Sequence, residues 1–262
     1  AGHYQLTVQV RDINGAVAAY SRKITVLEAP AFPDSTASTM LVMDTVANRL
    51  YAVNPDNDTV TAIDATSHAT VWVANVGEHP VSIAQGGDAS LWVACRDSDT
   101  IDVLNGITGD ILMSLPLDYG AAPTAIAVTP DGMSMLVSLS ALGRLTRFNV
   151  ASRTQTGAVE VGPTPRAIAI THDGSRALVT RFISGEHTGS VYDVALAGAM
   201  SLTRTITLAR DHSVDGAASG RGVPNYLTGI RITPNGLWAW VVGKKDNTTR
   251  GTFFADTMVP GQ

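Results

Sequence analysis

Short stretches in which apolar and polar, or large and small, side chains alternate with a period of two recur along most of this chain. Ala125-Ile126-Ala127-Val128 and Ala167-Ile168-Ala169-Ile170 show the pattern, and helical periodicity is absent. A period of two points successive side chains to opposite faces, so the pattern predicts β-strands throughout. Asp131-Gly132, Asp173-Gly174 and Asn235-Gly236 separate consecutive strands, as expected of tight hairpins that need a positive φ.

These strands are organised by a cassette of about 42 residues that recurs along the chain. A Gly-x-x-Pro turn opens it at Gly77, Gly120 and Gly162, and a looser copy begins at Gly222. The second strands align on Tyr51, Trp92, Leu136, Leu178 and Trp240, and the third strands close at Asp64, Asn105, Asn149 and Asp193. Strand-only repeats of this length predict an all-β fold, a β-propeller with one blade per repeat, of which about five are readable.

Residues 1–28 carry a different pattern. Tyr4, Leu6, Val8 and Val10 share one face, Asn14-Gly15 supplies a turn, and a second alternating strand follows, so a β-hairpin is predicted. The spacing of these residues resembles the end of a PKD-type immunoglobulin-like domain, and implies that 1–28 is the C-terminal hairpin of such a domain. Residues 29–40, with two prolines, predict an extended linker.

Residues 41–262 resemble the YVTN-type repeat family of seven-bladed β-propellers. The Gly-x-x-Pro turns and the strands Arg49–Asn54 and Thr59–Asp64 carry the resemblance. PKD-type modules beside such propellers are similar to the architecture of bacterial and archaeal cell-surface proteins, which implies an extracellular, cell-surface or periplasmic location. Seven such blades need roughly 294 residues, so we expect the sequence to be a fragment of a longer ring. A five-bladed ring is the alternative.

Composition narrows the possible partners. The net charge is −5 and no basic tract occurs, which argues against nucleic acid as a partner. No apolar run approaches the roughly 18 residues of a membrane span, so no transmembrane segment is predicted. Cys95 is the only cysteine, which excludes a disulfide within one chain, and it is predicted to pack at a strand end. The four tryptophans lie in strand patterns and are predicted to pack in the core.

Propeller geometry places the Gly-x-x-Pro turns and the loops after the second strands on one side of the ring, here called the loop face. Arg96, Arg181 and Lys244 follow second strands, and His79 and Arg166 flank the opening prolines. Basic residues concentrated on one face of an acidic chain predict a site for an anionic ligand. Solvated surface charge is the alternative interpretation.

Two insertions, at 181–189 and 210–226, lengthen loops on this face. Long loops on a rigid scaffold often carry function, so the candidate ligand-binding residues also include the polar side chains of these loops: His187, Asp211, His212 and Arg221. His187, Asp211, His212 and Asp215 could ligate a metal if the loops meet, and loops packed on themselves are the alternative. Residues 56–58 predict an Asx turn rather than a calcium loop.

No hydrolase elbow, phosphate loop, dinucleotide fingerprint or haem motif occurs, so no catalytic residue is assigned and no cofactor is expected. The leading hypothesis is a non-enzymatic cell-surface or periplasmic propeller that binds a small molecule, glycan or protein at the loop face, or acts as a scaffold. A propeller enzyme of the lactonase or lyase type, with His79, His187, Asp211 and His212 as candidates, is one alternative. A partner module of a haem or quinone redox protein is another.

Overall fold

The computed structural model describes residues 2–11, 17–26, 35–213 and 221–247. They divide into two units, Ala1–Pro33 and Asp34–Gln262. The first unit contains β1 (Gly2–Arg11) and β2 (Val17–Val26), which pair antiparallel from Gly2–Val26 to Arg11–Val17. The predicted hairpin is confirmed, although its turn residues lie outside the described residues. The structure describes no further strands of an immunoglobulin-like domain.

The second unit begins with the short β3 (Thr36–Ala37). Antiparallel sheets then follow one another along the chain, and each is called a blade. Blade 1 contains β4 (Leu41–Asp44), β5 (Arg49–Asn54), β6 (Thr59–Asp64) and β7 (Thr70–Asn75). Blade 2 contains β8 (Pro80–Gln85), β9 (Ser90–Cys95), β10 (Thr100–Asn105) and β11 (Ile111–Pro116).

Blade 3 contains β12 (Pro123–Val128), β13 (Ser134–Leu139), β14 (Arg144–Asn149) and β15 (Gln155–Glu160). Blade 4 contains β16 (Pro165–Ile170), β17 (Arg176–Arg181), β18 (Thr188–Ala195) and β19 (Ser201–Ala209). The described part of blade 5 is β20 (Val223–Ile232) and β21 (Ala239–Asp246). The inner strands β4, β8, β12, β16 and β20 are successive neighbours, which is the predicted all-β blade architecture. None of the described residues forms a helix long and apolar enough to cross a membrane.

The hairpin turns between first and second strands are built by a repeated side-chain network. In blade 3, Thr129 Oγ1 donates to Asp131 Oδ1 at 2.6 Å, and the same carboxylate accepts the backbone N–H of Met133 at 2.9 Å. Gly132 supplies the positive φ of 73°. Blades 4 and 5 repeat the network from Asp173 and Asn235. The local turn chemistry therefore confirms the hairpins predicted from Asp-Gly and Asn-Gly.

The core lies between the faces of adjacent blades, where alternate side chains of neighbouring sheets meet. Trp92 is fully buried in blade 2 and its ring lies 6.2 Å from that of Phe148 in blade 3. The prediction that all tryptophans are in the core is wrong for Trp238 and Trp240, which are 70% and 71% exposed. Trp240 lies on the face of blade 5 directed away from blade 4, and no described residue covers that face.

One repeat was aligned incorrectly from the sequence. The third strand of blade 1 ends where Asp64 pairs with Arg49, and that of blade 4 ends where Ala195 pairs with Arg176. Asp193, predicted to close the fourth copy, therefore lies two residues inside β18. Its buried carboxylate accepts hydrogen bonds from the guanidinium groups of Arg176 and Arg204. Asp193 thus pairs with two arginines inside the strand instead of closing it.

Residues 35–39, which the sequence predicted to be part of the linker, bond to inner strands of four blades, and we call this segment the strap. The hydroxyl of Ser35 donates to Ile232 O at 2.9 Å, and that of Thr36 donates to Val128 O. Further along, Ser38 N–H donates to Ile168 O at 2.9 Å, and the carbonyl of Thr39 accepts from Ile83 N–H at 2.9 Å. The strap thereby satisfies backbone groups at the inner edges of blades 2 to 5.

Candidate functional site

The loop face of blades 2, 3 and 4 is held together by backbone hydrogen bonds between two parts of each of these blades. The first residue after the second strand donates its N–H to the residue that precedes the opening proline: Arg96 to His79 at 3.0 Å, Ser140 to Ala122 at 3.1 Å, and Phe182 to Thr164 at 2.8 Å. The two groups of residues that the sequence singled out therefore lie side by side. The strap contacts the middle and the C-terminal ends of the inner strands. The loop face lies at the N-terminal ends of these strands, where the strap does not reach.

The residue before the opening proline has an unusual backbone conformation in blades 2, 3 and 4. His79, Ala122 and Thr164 have φ values of 54°, 48° and 50°. Tyr226, at 48°, has the same conformation. The fourth opening turn therefore contains Tyr226-Leu227, and the predicted copy at 222–224 is three residues too early. A left-handed backbone at a bulky aromatic residue is strained, and such strain is often retained where a side chain must be positioned for function.

Four side chains of blades 4 and 5 form a continuous series, here called the cation–aromatic row. The guanidinium carbon of Arg166 lies 4.4 Å from the centre of the Phe182 ring. Phe182 contacts Tyr226 edge-on, with ring centres 5.3 Å apart. Lys244 Nζ lies 4.7 Å from the centre of the Tyr226 ring. Arg166 and Lys244 were candidates from sequence, whereas the two aromatic residues that join them were not.

Arg166 is half-buried, and no described residue forms an ion pair with it. Burial, followed by repulsion from the positive charge of Arg96, lowers the pKa of its guanidinium. Arg96 lies 3.7 Å from the Asp97 carboxylate, which also lies 3.6 Å from His79 Nδ1. The two guanidinium groups therefore repel each other on the loop face, where carboxylates also lie: Asp97 is beside Arg96, and Asp58 accepts from the backbone N–H of His79 at 2.8 Å.

The two inserted loops meet, but not through the residues proposed as metal ligands. Ser184 N–H donates to Asn225 Oδ1 at 2.8 Å, and Ser184 Oγ donates to Pro224 O at 2.6 Å. Arg181 donates to the carbonyl of Ile183 at 2.7 Å within its own loop. The Arg181 contact fits the self-packed loop that the sequence also allowed, whereas the Ser184 contacts join the two loops to each other.

The proposed metal ligands are placed apart or used in other contacts. Asp211 accepts from Lys245 Nζ at 2.5 Å, and this bond foremost lowers the pKa of its carboxyl. His187 is exposed and lies 3.8 Å from Glu186, while His212 and Arg221 lie at the surface. Asp215 lies outside the described residues, and within those residues no three His, Cys, Asp or Glu side chains converge as a metal site would require.

Comparisons of sequence find no matching family model and no matching curated protein. Solved structures do match. The hydrazine synthase of Kuenenia stuttgartiensis is 17% identical with a TM-score of 0.69, over 85% of this chain and 59% of that one. A virginiamycin B lyase of Staphylococcus aureus is 12% identical with a TM-score of 0.54, over 86% and 66%. The fold is a β-propeller. The chain spans about three fifths of the length of the hydrazine synthase chain that it matches.

A third structure, a 6-phosphogluconolactonase-like protein of Bacteroides fragilis, is 13% identical with a TM-score of 0.59, over 91% of this chain and 73% of that one. At such identities the likeness concerns the fold alone, because one propeller scaffold supports unrelated chemistries. The function of this propeller must therefore be inferred from its own residues.

Proposed function

We propose that this propeller is a non-enzymatic binding or scaffolding module of the cell surface or periplasm, and that its loop face binds an anionic ligand. The observation that carries the proposal is Arg166, a half-buried cation beside Arg96 with no ion-pair partner among the described residues. Removing a charge from water costs free energy unless another charge compensates it. A ligand carboxylate, sulfate or phosphate would provide that compensation and screen the repulsion between the two guanidinium groups.

The cation–aromatic row suits this role. The Arg166 guanidinium lies over the Phe182 ring, and a guanidinium can contact an oxyanion through two N–H groups at once. Lys244 supplies a second cation at the other end of the row. A small anion or an acidic glycan could therefore bind along the rim, and a protein partner would need an acidic patch there.

Isothermal titration calorimetry tests the proposal with two probes, inorganic phosphate and oligogalacturonate. Arg166→Met should weaken binding of both by about tenfold, as expected for loss of one charge-assisted hydrogen-bond pair. Arg231→Met is the matched control, since Arg231 is exposed on blade 5 outside the row. Equal affinities of the wild type and Arg166→Met, or no binding of either probe, would refute the proposal.

A lyase-type or lactonase-type enzyme is the second candidate, and one contact favours it. His79 lies on the loop face with Asp97 3.6 Å from its Nδ1, an arrangement that could orient an imidazole as a general base. One structural neighbour is a virginiamycin B lyase solved with quinupristin. Turnover of quinupristin or of a sugar lactone that His79→Ala abolishes would favour this candidate over a binding module.

We also propose that the blades belong to the YVTN type and that the hairpin of β1 and β2 closes a PKD-type domain. The regular spacing of the opening turns supports the first assignment, and the antiparallel pairing of β1 with β2 is compatible with the second. A structure of the longer natural protein would test both, because a sandwich without the immunoglobulin-like strand order would refute the second.

A further inference from the structure

A cavity of about 460 Å³ lies between blades 2 and 3, away from the cation–aromatic row. Both blades contribute apolar side chains to its wall: Leu115, Leu117, Leu139 and Phe148. Thr146, Arg153 and Gln155 contribute polar groups. Pockets that bind small molecules have volumes of about 300–1,000 Å³ and combine apolar walls with a few convergent polar groups. This cavity has both properties.

The repeat shows how the cavity arises. Thr146 pairs with Val137 in blade 3, and the same position of the ladder holds Asp102 opposite Val93 in blade 2 and Tyr192 opposite Val179 in blade 4. In those two blades the longer side chain reaches the preceding turn. Asp102 accepts from Gly77 N–H at 2.7 Å, and Tyr192 donates to Pro163 O at 3.0 Å.

The opening glycines show the same difference. A methyl group on Gly162 would come within 2.8 Å of the Tyr192 hydroxyl, so blade 4 is filled at this place. A methyl group on Gly120, the corresponding glycine of blade 3, would meet nothing within 4 Å. The cavity lies beside Thr146, at the position of the ladder where blade 4 holds the larger Tyr192 side chain.

Two polar atoms of the cavity wall lack partners. Thr146 is 1% exposed, and neither its hydroxyl oxygen nor the buried Nε of Arg153 has a hydrogen-bond partner among the described residues. Such atoms destabilise the fold unless they are satisfied. Arg144 at the rim is already paired, with Glu160 at 2.8 Å and with Asp118 at 3.3 Å. Arg153 is therefore the cation available to a ligand.

We propose that this cavity binds a small carboxylic acid with an apolar body. The carboxylate would accept from the Arg153 guanidinium and the Thr146 hydroxyl, which are hydrogen-bond donors. The apolar body would pack against the leucines and Phe148. The cavity is separate from the cation–aromatic row, so this proposal can be tested independently of the anion site proposed above.

Ligand-observed NMR and calorimetry with benzoate, and with benzyl alcohol as an uncharged analogue, test the proposal. The wild type should bind benzoate more tightly than benzyl alcohol. Thr146→Tyr copies the residue of blade 4 and should weaken binding of both probes at least tenfold, whereas Thr70→Tyr, at an exposed site on β7, should not. Arg153→Met should remove the preference for benzoate while benzyl alcohol still binds.

Thermal unfolding of each variant checks that it is folded, and Thr146→Val provides a second test if the tyrosine variant does not fold. It preserves the shape of the cavity and should weaken benzoate binding several-fold. Arg166→Met should leave benzoate binding unchanged, which distinguishes this site from the cation–aromatic row. Absence of benzoate binding to the wild type, or unchanged binding in Thr146→Tyr or Arg153→Met, would overturn the proposal.

Discussion

Substitution of Asp193 by Asn should destabilise blade 4 more than any other change of a single carboxylate described above. The side chain of Asp193 is 0% exposed, and its two oxygens accept from Arg176 Nε and Arg204 Nε, each at 2.9 Å. Burial alone would raise the pKa of this carboxyl, but the hydrogen bonds from Arg176 and Arg204 outweigh burial and hold the pKa below its ordinary value. The native state therefore depends on the negative charge.

The magnitude follows from these contacts. Breaking a buried ion pair costs about 3–5 kcal/mol when it leaves a buried charge uncompensated. Arg176 and Arg204 are 43% and 63% exposed and can regain water, so the cost should lie at the lower end, about 3 kcal/mol. For a unit of this size about 2–4 °C is lost per kcal/mol, which corresponds to a fall in Tm of about 6–12 °C.

Urea unfolding followed by circular dichroism measures the effect, with Asp56→Asn at an exposed turn as the control. A carboxyl with a lowered native pKa stabilises the fold above its unfolded pKa of about 3.9, and this stabilisation is lost as the pH falls toward the native value. Asp193→Asn should therefore reduce the acid-induced loss of stability below about pH 4. A change under about 0.5 kcal/mol at pH 7 would refute the stabilising role assigned to the contacts of Asp193 with Arg176 and Arg204.

Gly162→Ala should lower stability by about 1–3 kcal/mol in thermal or urea unfolding, because φ is 126° and the new methyl group would strike the Tyr192 hydroxyl. Gly198→Ala, which has φ of 58° but open space around it, should cost about 1 kcal/mol, and equal losses in the two variants would contradict the packing explanation. Burial, assisted by the charge of Asp102, raises the pKa of the Cys95 thiol to about 12. A thiol-specific reagent at pH 8 should therefore label Cys95 only as fast as the protein unfolds, and rapid labelling of the native protein would refute its burial.

The sequence predicted those parts of the fold that are determined by residues close together along the chain. Strand alternation and the Asp-Gly turns are local, so the blades and hairpins were found in nearly the right places. The fourth repeat was misplaced because Leu227 stands where the other copies have proline, and Asp193 was misassigned because β18 is longer than its counterparts. At these two places, matching residues by type aligned the repeats less accurately than the hydrogen-bonded register of the strands does.

The candidate sites were predicted less completely. Arg96 and Arg166 were identified because the opening turns and the loops after the second strands lie on the same side of a propeller. Phe182 and Tyr226 were missed, although one follows a second strand and the other occupies the position of His79 and Thr164. The cavity between blades 2 and 3 had no sequence signal by itself. It becomes apparent only when Thr146 is compared with the residues that hold its place in the neighbouring blades.

The strap has a consequence for synthesis of the chain on the ribosome. Its bonding partners are made at increasing distances from it, 43 residues along for Ser82, 92 for Val128, 130 for Ile168 and 197 for Ile232. At about 5–20 residues per second, the partner of Ser35 emerges roughly 10–40 s after Ser35 itself. Each newly made blade would fix one more residue of the strap. The first to be fixed is Thr39, at the C-terminal end of the strap, and the last is Ser35, at its N-terminal end. A pause in translation before Ile232 would leave the Ser35 hydroxyl without this partner while blades 2 to 4 already hold the rest of the strap.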